Sequence, residues 1–193
     1  MNITLGARFD YTTVDSDLSD SELSPKLGFV WHLSKVSTIK LYTGKGFRAP
    51  SISERFPPVV ASGHKVIPNL TLMPETAWSN EISFSTRLSS GLLFDAAFFS
   101  NDYWDLIEPV PDISNAIQFV NITRARISGL ETTIGFALLN NRLTGQVGYT
   151  YLNPRDLELD ETLAYRSKHM FNSSINGRYR MLEMGFDYKY YDQ

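Results

Sequence analysis

Apolar and polar residues alternate along most of this chain, a pattern that predicts β-strands with two chemically different faces. In residues 2–14, one face carries Ile3, Leu5, Ala7, Phe9 and Tyr11. Similar segments are predicted at 23–33, 36–45, 76–88, 92–107, 117–138, 143–152, 166–179 and 182–191. The pattern therefore predicts about nine strands. Alternation slips near Ser128 and Gly129, where we expect a β-bulge.

The connections between these strands alternate in length. Long connections are predicted at 15–22, 47–75, 108–116 and 153–165, and short turns at 34–35, 89–91, 140–141 and 180–181. Most strands have roughly ten or more residues, enough for a tilted strand to cross a bilayer, whereas strands in soluble proteins more often have about 5–6. This rhythm is typical of outer-membrane β-barrels, which have short turns at one end and long loops at the other.

The two faces also differ in chemistry. The polar face carries charged residues and glycine, whereas the apolar face carries aromatic residues near strand ends, namely Tyr11, Trp31, Trp78, Tyr151, Tyr179 and Tyr190. These match the aromatic girdles at membrane interfaces. A soluble sheet with one packed face would alternate in the same way, so a soluble all-β carbohydrate-binding module stays open. Such a module predicts two covered faces, and a barrel predicts one sheet with a bare apolar outer face.

Composition and motif spacing remove other classes. The 193 residues have a net charge of −3 and no basic run, so we expect no nucleic-acid partner. There is no cysteine for a disulfide or a zinc thiolate, and no apolar run reaches the roughly 18 residues of a spanning helix. The N-terminus lacks the features of a signal peptide. His32, His64 and His169 lack metal-ligand partners at a suitable spacing, so we expect no catalytic residues, no metal site and no cofactor.

Three motifs carry a resemblance to a known family. Residues 46–51, Gly-Phe-Arg-Ala-Pro-Ser, end a strand, because Pro50 removes a backbone donor and disfavours helical geometry at Ala49. Residues 69–75 run from Asn-Leu to Pro-Glu, and residues 121–131 run from Asn to Gly-Leu-Glu. Together these motifs resemble the barrel of TonB-dependent outer-membrane receptors, and the resemblance extends over about residues 5–190.

The resemblance implies a protein in the outer membrane of a Gram-negative bacterium. Such a receptor binds a scarce nutrient, such as an iron-siderophore or cobalamin, and imports it with energy that the TonB complex applies to a plug domain. Plugged barrels of this kind have 22 strands, so we expect residues 1–193 to be an all-β, antiparallel up-and-down meander that is an incomplete piece of a large barrel, without plug or terminal strands. A porin-like channel or an adhesin remains an alternative.

The open edges of such a piece have a cost. Each unpaired backbone group in lipid costs several kcal/mol, so the isolated chain is expected neither to transport nor to insert stably.

The resemblance also nominates functional residues. The long loops would face outside, where cationic groups suit an anionic metal chelate; these are Arg48, Arg55, His64, Lys65 and Arg155. Contact with outer-membrane lipid and lipopolysaccharide is the alternative role for the same groups. Lumen-facing residues expected to pair with the plug are Arg8, Glu81, Asp95 and Glu131.

Overall fold

One antiparallel sheet accounts for most of the molecule. The computed structural model describes residues 1–15, 18–56, 60–61, 64–111, 116–163 and 166–192. The long strands are β1 (Asn2–Asp15), β2 (Leu18–His32), β3 (Ser37–Arg48), β6 (Glu75–Ser89), β7 (Leu92–Pro111), β8 (Ile117–Leu138), β9 (Leu143–Asp156), β10 (His169–Tyr179) and β11 (Leu182–Tyr191). Between β3 and β6 lie the one-turn helix α1 (Ile52–Arg55) and the short strands β4 (Val60–Ala61) and β5 (His64–Ile67). No helix within the described ranges is long and apolar enough to cross a membrane.

The long strands pair in sequence order, from β1 through β3 to β6 and on to β11. This confirms the predicted up-and-down meander. Within the described residues, β1 pairs only with β2 and β11 only with β10, so the sheet has two free edges. The short β5 adds a parallel pairing, with Val66 opposite Ile117 of β8.

Three of the predicted long loops are wrong in extent, the third being 153–165, where β9 continues to Asp156. The β1–β2 ladder continues to the pair of Asp15 with Leu18, so most of residues 15–22 are paired strand. The β7–β8 ladder continues to Pro111 opposite Ile117. Proline is tolerated there because the described pairing of β6 with β7 ends at Trp104, and beyond it β7 is an edge strand. Polar or proline-containing sequence marks the end of the membrane-facing part of a strand, and backbone pairing continues past it.

The outward face of the sheet is apolar and bare. Leu5 is 78% exposed, Phe98 53% and Met184 75%. A soluble module would cover both faces, so this single sheet excludes the carbohydrate-binding alternative.

The apolar band crosses the sheet diagonally. One hydrogen-bonded row joins Ile3 of β1 to Phe29, Leu41, Ile82, Phe98, Leu130, Tyr151 and finally His169 of β10. In β1 the apolar residues run from this row toward the long-loop end, as far as Tyr11. In β11 they lie below it, from Leu182 near the short turn to Tyr190. Tilted strands in a barrel require this offset between the rows and the membrane plane.

Strands β7 and β8 extend well beyond the apolar band. They have 20 and 22 residues, whereas a tilted strand crosses a bilayer with about 9–11. On the inner side of this extension, Leu163 from the loop after β9 packs with Leu106 and Ala125, which are all at most 7% exposed. The extension therefore carries a small core of its own at the long-loop end.

The predicted bulge at Ser128 and Gly129 is wrong. Both residues pair in constant register, with Ser128 opposite Ser100 and Gly129 opposite Phe99. The alternation changes because the apolar side chains move from the outer face of the strand to its inner face. Toward the short turns lipid meets the outer face, whereas in the extension Ala125 and Ile127 face inward under the loop.

Candidate functional site

The loop between β3 and β6 is tied to the ends of both strands by one arginine. Arg48 ends β3 directly opposite Glu75, the first residue of β6. Its Nε and Nη2 donate to the two Glu75 carboxylate oxygens at 2.8 and 3.1 Å, and its Nη1 donates to both oxygens of Glu54 at 3.1 Å. Glu75 also accepts from the Ile107 backbone N–H at 3.1 Å. Charge-assisted, bidentate pairs of this kind are strong and geometrically specific.

Glu54 fixes the start of α1 against this arginine. Its Oε2 accepts from the Ser51 backbone N–H at 2.6 Å. Burial by itself would raise the pKa of the Glu54 carboxyl, but the hydrogen bonds from Ser51 and the neighbouring Arg48 guanidinium outweigh it, so the pKa lies below its ordinary value. The carboxylate therefore stays ionised at neutral pH.

Arg55, at the other end of the helix turn, is buried. Its side chain is 2% exposed, its Nη1 donates to Asp20 of β2 at 3.2 Å, and its Nη2 donates to the Leu72 carbonyl at 2.8 Å. One guanidinium thus joins three parts of the chain that are distant in sequence. A buried pair of this kind is costly to break, because the remaining charge is left without compensation.

Two asparagine side chains attach the returning half of the loop to β8. Asn69 donates to the Phe119 carbonyl at 2.9 Å. Asn121 accepts from the Met73 N–H at 2.9 Å and donates to the carbonyls of Met73 and Asp105 at 3.0 and 2.7 Å. The base of the 49–74 loop is therefore held by side chains from β2, β3, β6 and β8.

Sequence reasoning did not assign roles to Glu54, Glu75, Asn69 or Asn121. The signal was partly present, because Asn69, Glu75 and Asn121 lie in the motifs at 69–75 and 121–131, and Glu54 lies three residues after the motif at 46–51. The motifs indicated a family, and only the fold shows that their polar residues bond one another.

The five cations predicted to bind ligand do not form one cluster. Arg48 and Arg55 are engaged within the protein. Lys65 is exposed on β5, and the backbone of His64 lies beside it, while the side chain of His64 lies outside the described part. Arg155 lies on the outward face, paired with Asp160 at 3.3 Å.

The predicted lumen residues lie on the face opposite the apolar band. Glu81 and Glu131 line a depression of about 350 Å³, together with Tyr42, Phe99 and Asn101. Glu131 also borders a second depression of about 190 Å³, with Asp95 and Lys40. Three carboxylates against one lysine make this part of the wall acidic.

Arg8 lies farther along the sheet, on β1, and donates to Asp10 at 2.7 Å. Among the described residues, no group of three or more histidine or acidic side chains is placed to hold a metal ion.

A model of the family described as "TonB dependent receptor-like, beta-barrel" matches residues 1–193. The chain belongs to this family. Its location is therefore the outer membrane of Gram-negative bacteria, as the sequence predicted.

Three relatives illustrate the range of the family. An iron-regulated outer membrane virulence protein of Vibrio cholerae is 28% identical over 190 residues, which cover 90% of this chain and 28% of that protein. The heme/hemopexin utilization protein C of Haemophilus influenzae is 28% identical over 183 residues (81% and 25%). The vitamin B12 transporter BtuB of Photobacterium profundum is 31% identical over 162 residues (81% and 25%). The chain thus spans 28% or less of these relatives.

Solved structures confirm the fold of this receptor barrel segment. The ferric enterobactin receptor of Pseudomonas aeruginosa superposes with a TM-score of 0.74 at 22% identity, covering 98% of this chain and 30% of that one. The siderophore receptor PirA of Acinetobacter baumannii gives 0.72 at 19% identity, covering 97% and 30%.

Proposed function

We propose that this chain is part of a receptor that binds a scarce nutrient at the cell surface and imports it with TonB-transduced energy. The observation that carries the proposal is the family match over residues 1–193, on a sheet whose polar wall is overlaid at the long-loop end by tied loops. The nutrient class is an iron chelate, heme or cobalamin, as the names of the relatives suggest. The chemistry of the site is recognition and release, without bond making or breaking.

The hydrogen bonds at the base of the 49–74 loop support different roles for the predicted cations. Arg48 and Arg55 hold the loop base by hydrogen bonds to three carboxylates and the Leu72 carbonyl. We assign them to positioning. Lys65 is exposed on the same loop, and we assign it to contact with an anionic ligand, because a lysine ammonium binds as a mobile point charge.

The acidic wall supports a contact with the plug. Glu81, Asp95 and Glu131 lie on the polar face with one lysine nearby. A plug surface with arginine or lysine opposite them would gain electrostatic complementarity. Force from the TonB complex would then have to break these contacts before the nutrient passes.

Uptake by living cells tests the function. A strain lacking the complete gene would be given radiolabelled ferric siderophores, heme or cobalamin, with and without an active TonB complex. We expect the gene to restore uptake of one of these, and only when TonB is active. Restored uptake that persists without TonB would instead favour a porin-like channel.

Two variants separate ligand binding from plug contact. Lys65→Glu should weaken surface binding of the anionic nutrient, measured on de-energised cells. Glu81→Gln with Glu131→Gln should leave that binding intact and change the uptake rate. Unchanged binding in Lys65→Glu would remove Lys65 from the ligand contact.

A further inference from the structure

At the long-loop end, β7 and β8 continue as a two-stranded ribbon, formed by residues 105–111 and 117–124. The described pairing of β6 with β7 ends at Trp104, and that of β8 with β9 ends at Ala125. The β7–β8 ladder continues beyond both, to Pro111 opposite Ile117. A ribbon has two edges, and the backbone groups of an edge strand can pair with another extended chain.

The chain itself covers part of the β8 edge of this ribbon. The short strand β5 pairs with β8 in parallel, with Val66 opposite Ile117, on the side that β7 does not occupy. Next to this pairing, the Asn69 side chain donates to the Phe119 carbonyl at 2.9 Å. Backbone groups at this edge therefore have partners within the protein.

The β7 edge of the ribbon is treated differently. Within the described residues, no strand pairs with this edge beyond Trp104. Alternate residues of a strand direct their backbone groups to opposite neighbours, and the Ile107 N–H donates to the Glu75 carboxylate on the β6 side at 3.1 Å. Pro109 and Pro111 follow at the same alternate positions and have no N–H. The donors of these three residues are therefore occupied or absent.

This edge consequently offers carbonyl acceptors without the matching donors. A strand that docked against it would lose partners for its own carbonyls, and an unpaired acceptor costs free energy when it leaves water. The prolines do not interrupt the β7–β8 ladder, because Val110 between them pairs with Gln118 of β8. Both prolines are exposed, so packing in a core does not account for them.

We propose that Pro109, Pro111 and the contact of Glu75 with Ile107 prevent extended peptides from adding a strand to β7 at the long-loop end. Proline on an edge strand is a known means of blocking such pairing. A peptide docked here would lie beside the base of the 49–74 loop, because Glu75 also binds Arg48. The role is selection against one class of ligand, and it does not depend on which nutrient is imported.

Peptide binding tests the proposal on the protein expressed from its complete gene and purified in detergent. The probe is a fluorescent synthetic peptide that copies residues 117–124, because this sequence already pairs with β7 on its other side. We expect Pro109→Thr/Pro111→Thr to bind the peptide about ten-fold more tightly than the wild-type protein, because two backbone donors are regained. Each single variant should be intermediate. In the double variant, hydrogen exchange at the two new amides should slow when the peptide binds.

The matched control is Val110→Thr. It introduces the same residue type between the two prolines, but by the same alternation its backbone is directed to Gln118 of β8, so peptide binding should stay at the wild-type level. Equal peptide binding by the wild-type protein and both single variants would overturn the proposal even if the double variant failed to fold. Binding by Val110→Thr as tight as that of the proline variants would also overturn it, since the strand preference of threonine would then be the cause.

Discussion

Removal of the buried Arg55 guanidinium should release the loop that covers the inner wall. In Arg55→Ala, the Leu72 carbonyl loses its donor and the Asp20 carboxylate, 13% exposed, loses its partner. Breaking a buried pair from one side costs about 3–5 kcal/mol. This loss of free energy weakens the attachment of α1 and Leu72 to β2, whereas the pairing of the long strands is not affected. We therefore expect local opening of the loop with the barrel intact.

Hydrogen–deuterium exchange measures that opening directly. The Phe56 N–H, bonded to the Ile52 carbonyl at 2.8 Å, and the Asn69 N–H, bonded to the Glu54 carbonyl at 3.4 Å, report on the two halves of the loop base. A loss of about 3 kcal/mol corresponds to exchange about 100-fold faster at these amides. Amides in the middle of β6 and β7 should not change.

Two further variants decide whether the buried pair is the cause. Arg178→Ala removes an ion pair whose side chains are 66% and 63% exposed, and such pairs contribute about 0–1 kcal/mol, so the loop amides should not respond. Asp20→Asn with Arg55→Met removes both charges and should recover much of the protection, because no charge is left buried alone. Wild-type exchange at Phe56 and Asn69 in Arg55→Ala would refute the reasoning.

Three other predictions concern the loop base, the close contacts of the sheet and its two faces. The folded-state pKa of Glu54 lies below its ordinary value, so the stability it contributes is present above that value and is lost as pH falls through the folded pKa. Thermal melts from pH 6 to 3 should therefore show an acid-side loss that Glu54→Gln reduces. A Cβ at Gly129 would lie 2.5 Å from a carbonyl oxygen of β9, whereas one at Gly177 would meet nothing within 4 Å. Gly129→Ala should therefore lower the temperature at which the folded band disappears on a semi-native gel, as overpacking costs about 1–3 kcal/mol, and Gly177→Ala should not. Phe98→Arg puts a charge on the lipid face at a cost of up to about 2–4 kcal/mol and should reduce the fraction assembled in outer membranes, whereas Ala97→Arg, on the polar face, should be tolerated.

Each of these has an outcome that contradicts it. A pH profile identical in wild type and Glu54→Gln would mean that this carboxyl does not contribute to acid stability. Equal losses for Gly129→Ala and Gly177→Ala would contradict the steric explanation, since only the Cβ at Gly129 meets a backbone atom at close range. Equal assembly of Phe98→Arg and Ala97→Arg would contradict the assignment of the two faces.

The sequence alone determined most of the membrane part of this protein. A period of two residues, maintained over ten or more, specifies both strand identity and the side that meets lipid, because one face must be apolar for its whole transmembrane length. The alternation of short turns with longer loops is typical of antiparallel neighbours in an up-and-down barrel, so the sequential order of the nine long strands was predicted as well. The family could be recognised because its motifs are local in sequence.

Only the tertiary structure showed how far the strands continue beyond the apolar band and which way their apolar side chains face there. There the medium changes, strands continue through polar residues, and Ala125 and Ile127 turn the apolar face inward beneath a loop. The same folding brings Asp20, Glu54 and Glu75 to Arg55 and Arg48, so two cations predicted to bind ligand form ion pairs within the protein. The sequence shows the charge of each side chain directly. Whether that side chain is already paired depends on residues up to 35 positions away, and no pattern along the chain specifies these contacts.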